Sequence, residues 1–97
     1  MARNQLFVVT SYDIPHDKRR LKVAKALLDS GSVRVQRSVF ETHITQRNFD
    51  RLQARLAKLI DVEQDSLRHY LLCDACVPRT IMLGTATLTD APGLIII

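Results

Sequence analysis

The chain has 97 residues, the length of one domain, and its 46% hydrophobic and 25% charged residues exclude an intrinsically disordered protein. No apolar run approaches the ~20 residues of a transmembrane helix, and the N-terminus lacks the apolar core of a signal peptide. We therefore expect a cytoplasmic protein without membrane contact, folded as a single domain over 1–97. A domain this small buries only about 60–65% of its unfolded surface, which favours a shallow site shared between subunits.

The net charge of +4 comes largely from one segment. From Lys18 to Arg37 there are seven basic residues and one acid, Asp29. Arginine binds phosphate oxygens in a bidentate way, so this segment could attract a nucleic acid. A solvated helix face has the same composition, and charge alone does not decide between the two interpretations.

The first half of the chain predicts a strand, a helix and two further strands. Leu6–Tyr12 is a nearly continuous apolar and β-branched run, typical of a central strand, and the proline at the end of 13–15 stops it. A helix is predicted from near Asp17 to the Ser-Gly pair at 30–31. Its inward stripe is predicted to be Leu21, Ala24 and Leu28, flanked by Val23 and Leu27. Its outer face is predicted to carry Lys18, Lys22, Lys25 and Asp29.

Val33–Gln36 and Val39–Ile44 are predicted strands, separated by a turn or bulge near 37–38. A second helix follows, capped by Thr45, with apolar residues at helical spacing: Phe49, Leu52, Leu56 and Leu59. Its outer face carries a second basic stripe, which is more typical of solubility than of binding: Arg47, Arg51, Arg55 and Lys58. After an acidic loop, Leu67–Cys73 and Thr80–Leu83 are predicted strands.

The order of these elements predicts an α+β, ferredoxin-like βαββαβ domain. Such a domain has an antiparallel sheet with two helices on one face, here with a short C-terminal strand added. Because that fold supports many functions, the function has to be argued from particular residues.

Asp13 is the first candidate for catalysis. Asp13 follows a buried strand directly and lies two residues before a proline, so its carboxylate is held at a rigid strand end, as a metal ligand requires. Mg²⁺ or Mn²⁺ prefers six oxygen ligands, which two Asp13 side chains across a two-fold axis could supply together with waters and a substrate phosphate. A turn or capping aspartate is an equally supported alternative.

Several other residues could serve the same site. Arg20 is predicted to point towards the sheet near the end of the first strand, where it could hold a phosphate or pair with Asp13. Arg34 and Arg37 could extend a phosphate track, and His16 could tune the protonation of Asp13. The predicted nucleic-acid-binding residues are Arg19, Arg20, Lys22, Arg34 and Arg37.

Other motifs carry less information. The pair Cys73 and Cys76 has the spacing of a zinc knuckle or a redox motif, but the sequence has no second Cys/His pair at a plausible distance, and we interpret it as structural. His43 and His69 fall on predicted strands, where a satisfied or exposed histidine is the usual outcome. The sequence has neither a glycine-rich phosphate loop nor a GxSxG motif.

Three stretches resemble the CRISPR-associated protein two family. They are VVTSYDIPHDKRRLKVAK at 8–25, GSVRVQRSVFE at 31–41 and DSLRHYLLCDAC at 65–76. The likeness extends from about Leu6 to Gly84. It implies a ferredoxin-like homodimer in which Asp13 of each subunit faces a shared cleft and binds Mg²⁺ or Mn²⁺.

The resemblance also implies an endonuclease that cleaves RNA or duplex DNA and takes part in spacer acquisition for antiviral defence, with a separate integrase as partner. The positions that match the family's functional pattern are Tyr12, Asp13, Arg20, Arg34, Ser38 and Phe40. Lys22 stands where some members have arginine, and His16 replaces a more common acidic residue. The tail 85–97 is variable in the family, and we expect it in the dimer interface.

Two functions from different classes remain open. The first is a metal-dependent nuclease centred on Asp13. The second is a basic dimer that holds duplex DNA for an integrase and has no chemistry of its own; a toxin-like ribonuclease of the same fold is a third option. Both leading functions need the basic surface, but only the nuclease needs Asp13.

Overall fold

The computed structural model describes residues 5–84, in which two helices pack against one face of a four-stranded antiparallel sheet. The elements are β1 (Gln5–Asp13), α1 (Asp17–Asp29), β2 (Val33–Gln36), β3 (Val39–Thr45), α2 (Gln46–Leu59) and β4 (Ser66–Leu72). The strand order β2-β3-β1-β4 makes β1 a central strand. The predicted ferredoxin-like arrangement is confirmed over these elements. Within 5–84 neither helix is long and apolar enough to cross a membrane.

The core lies between the sheet and the helices. Alternate residues of β1, such as Val8 and Tyr12, are buried, and Phe40 and Ile44 of β3 face the same layer. Helix α2 contributes the apolar stripe that its spacing predicts, with Phe49, Leu52 and Leu56 buried. Its N-terminal cap is confirmed too, because the Thr45 hydroxyl accepts a hydrogen bond from the backbone N–H of Asn48 at 3.2 Å.

Helix α1 is rotated relative to the prediction. The residues that it buries are Val23, Ala24, Ala26 and Leu27. Leu21 is 68% exposed and Leu28 is 51% exposed, so the predicted inward stripe was wrong at these two positions. At about 100° per residue the buried arc is centred between Val23 and Leu27, which leaves Leu21 and Leu28 on its flank. The predicted outer face of lysines and Asp29 is exposed, as expected.

The ends of α1 follow local chemistry. His16 is the N-terminal cap, and its Nδ1 accepts from the backbone N–H of Arg19 at 3.3 Å. At the other end Gly31 has a φ of 93°, a conformation that favours glycine and stops the helix as predicted. The chain then forms β2, turns at 37–38 and returns as β3, and a register shift lies between Arg34 and Gln36.

The predicted strand Thr80–Leu83 is wrong for the part of the chain that the structure describes. After β4 the chain makes a turn at Cys73 and a short 3₁₀ helix, Val77–Arg79. This turn ends the pairing with β1, and 80–83 then has no strand neighbour within 5–84. Ile81 and Leu83 are 87% and 85% exposed. The predicted strand material at 94–97 lies outside the described residues.

A buried ion pair joins the start of α1 to the loop before β4. The Arg19 guanidinium donates to both carboxylate oxygens of Asp65, at 2.8 and 3.1 Å, and to the side-chain oxygen of Gln64 at 3.3 Å. The Asp65 side chain is fully buried and also accepts from the backbone N–H of Asp61 at 2.8 Å. The hydrogen bond from Arg19, with that from Asp61, holds the pKa of the Asp65 carboxyl below its usual value.

We expect Asp65→Asn to lower the melting temperature near neutral pH by about 5 °C or more, since it removes the buried carboxylate charge that accepts hydrogen bonds from Arg19 and from the Asp61 backbone. Because the folded-state pKa of Asp65 is depressed, its stabilisation is present above the ordinary carboxyl range and is lost as the pH falls through the folded value. The difference between the two proteins should therefore shrink in acid. Thermal melts across a pH series measure it.

Asp29→Asn is the matched control, because Asp29 makes only exposed ion pairs with Lys25 and Arg55. Its melting temperature should change little. Equal losses for the two variants would contradict a special role for the buried pair.

Candidate active site

Asp13 is the last residue of β1, and its position is fixed by the sheet. Its pairing partner in β4 is Ser66, and the next residue, Ile14, is buried beneath α1 with only 3% of its surface exposed. Because side chains alternate along a strand, Asp13 lies on the face opposite to Tyr12, the face that the helices leave uncovered. The exposed Asp13 carboxylate is thus carried by a backbone that cannot easily move.

A surface cleft adjoins Asp13. It is bounded by the end of β1, the first two turns of α1 and the segment from β2 to the following turn. Six of the residues predicted for the site line it: Tyr12, Asp13, Arg20, Arg34, Arg37 and Ser38. Arg20, Arg34 and Arg37 thus share the lining of one surface cleft with Asp13.

Two of these arginines are oriented by contacts within the chain. Arg20 donates to the backbone oxygen of Ile14 at 3.0 Å and also to the carboxylate of Asp17. It therefore lies near Asp13, as predicted, but its ion-pair partner is Asp17 and not Asp13. The Arg34 guanidinium lies over the Phe40 ring, 5.0 Å from its centroid, in a cation–π contact.

Tyr12 contacts both Ser38 and Phe40 near these arginines. The backbone N–H of Tyr12 donates to the backbone oxygen of Ser38 at 3.0 Å, which ties the end of β1 to the turn that carries Arg37. The Tyr12 and Phe40 rings stack with centroids 6.0 Å apart. The Tyr12 hydroxyl is buried and makes no hydrogen bond with the described residues.

Four predicted site residues lie outside the lining of the cleft, and one of them is Phe40, which lies beneath Arg34. Arg19 is committed to the buried pair with Asp65, so it is not part of the proposed anion-binding set. Lys22 is exposed on the outer face of α1, and the His16 ring nitrogen serves as the helix cap. His16 is therefore engaged in a structural role at the entrance of α1.

Leu21 and Arg68 are among the residues near the site that were not predicted. Leu21 lies in the cleft wall, a position that follows from the rotation of α1. Arg68 is exposed and pairs with Ser11, so it shares the uncovered face of the sheet with Asp13, one diagonal step away. The alternation of Ser66, Arg68 and Tyr70 in the sequence was a signal that could have identified this face of β4.

Proteins of known sequence and structure are similar to this chain. The chain matches the family model for CRISPR associated protein Cas2 over residues 6–80. It is 43% identical over 89 residues to a "CRISPR-associated endoribonuclease Cas2 3" of Synechocystis sp., covering 92% of this chain and 96% of that protein. A protein of the same name from Chloroflexus aurantiacus is 44% identical over 88 residues, covering 91% of this chain and 94% of the relative.

The solved structure of Streptococcus pyogenes Cas2 at pH 6.5 superimposes with a TM-score of 0.70 and 37% identity, covering 80% of this chain and 99% of that one. The class that the fold defines is thus a small ferredoxin-like protein with a basic cleft at the end of its central strand. The chain belongs to the CRISPR-associated Cas2 family.

We expect Arg37→Gln to weaken binding of a short RNA several-fold and to reduce the slope of log affinity against log salt by about one, because one phosphate contact is lost. The matched control is Lys22→Gln, which removes the same charge from outside the cleft. Fluorescence anisotropy over a salt series measures both effects. Equal losses for the two variants would mean that net charge, and not the cleft, governs binding.

Proposed function

We propose that this protein is a CRISPR-associated, metal-dependent endonuclease in which Asp13 is the catalytic residue. It cleaves phosphodiester bonds, with RNA as its first substrate class, and has a role in spacer acquisition. The observation that supports it best is the shared cleft of Asp13 with Arg20, Arg34 and Arg37. A carboxylate for a hard cation and arginines for phosphate oxygens are the groups that phosphodiester hydrolysis needs. The names of the two relatives favour RNA over duplex DNA as the substrate.

The residues of the site fit Mg²⁺ or Mn²⁺ only if two subunits share the ion. Within 5–84 no group of three or more His, Cys, Asp or Glu side chains could hold a metal ion. Mg²⁺ is commonly bound by one or two carboxylates together with waters and substrate phosphate oxygens, and Asp13 of two subunits meets that requirement. When bound, such an ion would lower the pKa of a coordinated water and offset charge on the phosphate.

The chain's own residues would perform the remaining tasks. The guanidinium groups of Arg34 and Arg37 would hold phosphates on either side of the scissile bond, and the stacked position of Arg34 fixes its direction. Arg20 donates a hydrogen bond to the Ile14 carbonyl at the edge of the cleft, where its guanidinium group can bind a third phosphate. Positioning of this kind shortens the search for a reactive geometry.

The requirement for two Asp13 side chains leads to a homodimer. Strand β4 is an edge of the sheet, and the segment after it exposes Ile81, Met82 and Leu83. Exposed apolar edges of this kind are the surfaces at which a second chain adds to a sheet. We therefore propose a two-fold dimer in which this segment and the tail 85–97 contribute to the interface.

We expect the intact protein to have about twice its chain mass of 11.0 kDa in light scattering, and Leu83→Asp to shift it towards the monomer, since the charge would be buried at the interface. Val62→Asp is the matched control: Val62 is 81% exposed in the loop at the other end of β4. A wild-type monomer in dilute solution would contradict the proposal, as would equal dissociation by both substitutions.

A second candidate function is a scaffold that holds duplex DNA for a separate integrase. It is favoured by the many basic side chains that lie outside the cleft, on the outer faces of both helices: Lys18, Lys22, Lys25, Arg47 and Arg51. A scaffold does not need Asp13, so substitution of that residue separates the two functions.

We expect Asp13→Asn to reduce RNA cleavage supported by Mg²⁺ or Mn²⁺ by a factor on the order of 10² or more, because the hard cation loses its anionic ligand. RNA affinity should hold or rise slightly, since a negative charge leaves the phosphate track. Gel assays of cleavage with and without the metal measure the first effect, and anisotropy measures the second.

Glu63→Gln serves as the control, since it removes one exposed negative charge in the loop before β4. The dimer mass and melting temperature of Asp13→Asn should match those of the parent. Cleavage at the parental rate by Asp13→Asn would overturn the nuclease assignment and leave the scaffold as the function.

A further inference from the structure

Two cysteines meet where the chain leaves the sheet. Cys73 follows the last residue of β4, and its Sγ atom is 3.1 Å from the Sγ atom of Cys76. Both residues are exposed free thiols. Neither belongs to the cleft at Asp13, and the nuclease proposal gives them no role.

The backbone holds the two thiols together. The backbone N–H of Cys76 donates to the carbonyl of Cys73 at 2.9 Å, and the N–H of Val77 donates to the same oxygen at 3.2 Å. This turn brings both side chains to one side independently of any contact between the sulfur atoms. Since a disulfide bond is about 2.05 Å long, the sulfurs must approach by only about 1 Å, which side-chain rotation can supply.

A zinc site is the other use of such a pair, and the surroundings do not support it. Structural zinc takes four ligands, and within 5–84 no group of three or more His, Cys, Asp or Glu side chains comes together. We propose that Cys73 and Cys76 form a redox-active dithiol, which low-molecular-weight disulfides oxidise reversibly to an intramolecular disulfide.

The exchange is balanced in two steps. The Cys73 thiolate attacks one sulfur of the external disulfide, forms a mixed disulfide and releases one thiolate. The Cys76 thiolate then attacks the Cys73 sulfur, closes the internal bond and releases the second thiolate. The external disulfide thus gains two electrons, and the two protein thiols lose two electrons and two protons.

The electrostatics of the pair support this order of attack. The hydrogen bond between the two thiols lowers the pKa of Cys73 and raises the pKa of Cys76. Cys73 is therefore the attacking thiol and Cys76 the resolving one. Closing the bond would lock the turn that connects β4 to the exposed segment starting at Thr80.

The test is to titrate the full-length reduced protein with mixtures of reduced and oxidised glutathione and to measure intact mass. We expect the mass to fall by two hydrogens, without adducts or chain-to-chain crosslinks, and to recover on addition of dithiothreitol. The equilibrium constant for oxidation should be at least about tenfold larger for the folded protein than for the same chain in urea, because the turn holds the thiols together.

Single substitutions assign the roles of the two thiols. Cys76→Ser should stop at a glutathione adduct on Cys73, whereas Cys73→Ser should react more slowly at the remaining thiol. The proposal is overturned by wild-type protein that accumulates two adducts, forms crosslinked chains, or oxidises equally in urea. It is also overturned if the purified protein retains zinc on thiols that do not react.

Discussion

The geometry of the site depends on the hydrogen bonding of β1 along both of its edges. Pairing with β3 runs from Gln5 to Ser11, and pairing with β4 runs from Phe7 to Asp13. The ladder with β3 ends at Ser11 and the ladder with β4 ends at Asp13. The last two residues of β1 therefore pair with β4 on one side and, within 5–84, with no strand on the other. The turn at 37–38 occupies the open side, and the Tyr12–Ser38 backbone hydrogen bond fixes it there. A rigid carboxylate beside an arginine-bearing turn is the direct result.

The Arg19–Asp65 pair provides the second constraint on this end of the domain. It joins the first turn of α1 to the loop before β4, next to the residue pair Asp13 and Ser66. Because the Asp65 side chain is fully buried, loss of either partner would leave an uncompensated charge. The ion pair therefore holds the loop and the helix together. In the sequence Arg19 looks like a phosphate-binding residue, but in the structure it maintains the alignment of α1. The next residue along the helix, Arg20, lines the cleft.

Most of the fold and part of the site could be predicted from the sequence. Helix α2 was predicted correctly because its apolar residues occupy one narrow face, whereas the apolar residues of α1 spread over too wide an arc to identify the buried side. Contacts with the sheet decide that question, and they bury Leu27 while leaving Leu28 exposed. The proximity of Arg20 to Asp13 follows from local chain geometry. Arg19 and Asp65 are 46 residues apart, and no local pattern links them.

In the proposed function, the arginines of the cleft bind phosphate and Asp13 supplies the chemistry. Arg34 lies on the Phe40 ring and Arg20 on the Ile14 carbonyl, so both guanidinium groups are ordered before any ligand arrives. Ordered groups lose less conformational entropy on binding, and more of their interaction energy remains available for affinity. Asp13 alone adds negative charge at the end of β1, where it opposes phosphate unless a cation lies between them. Under the proposed function, this single carboxylate would make nucleic-acid binding depend on a divalent ion, while the arginines would hold the phosphate backbone of the nucleic acid in register.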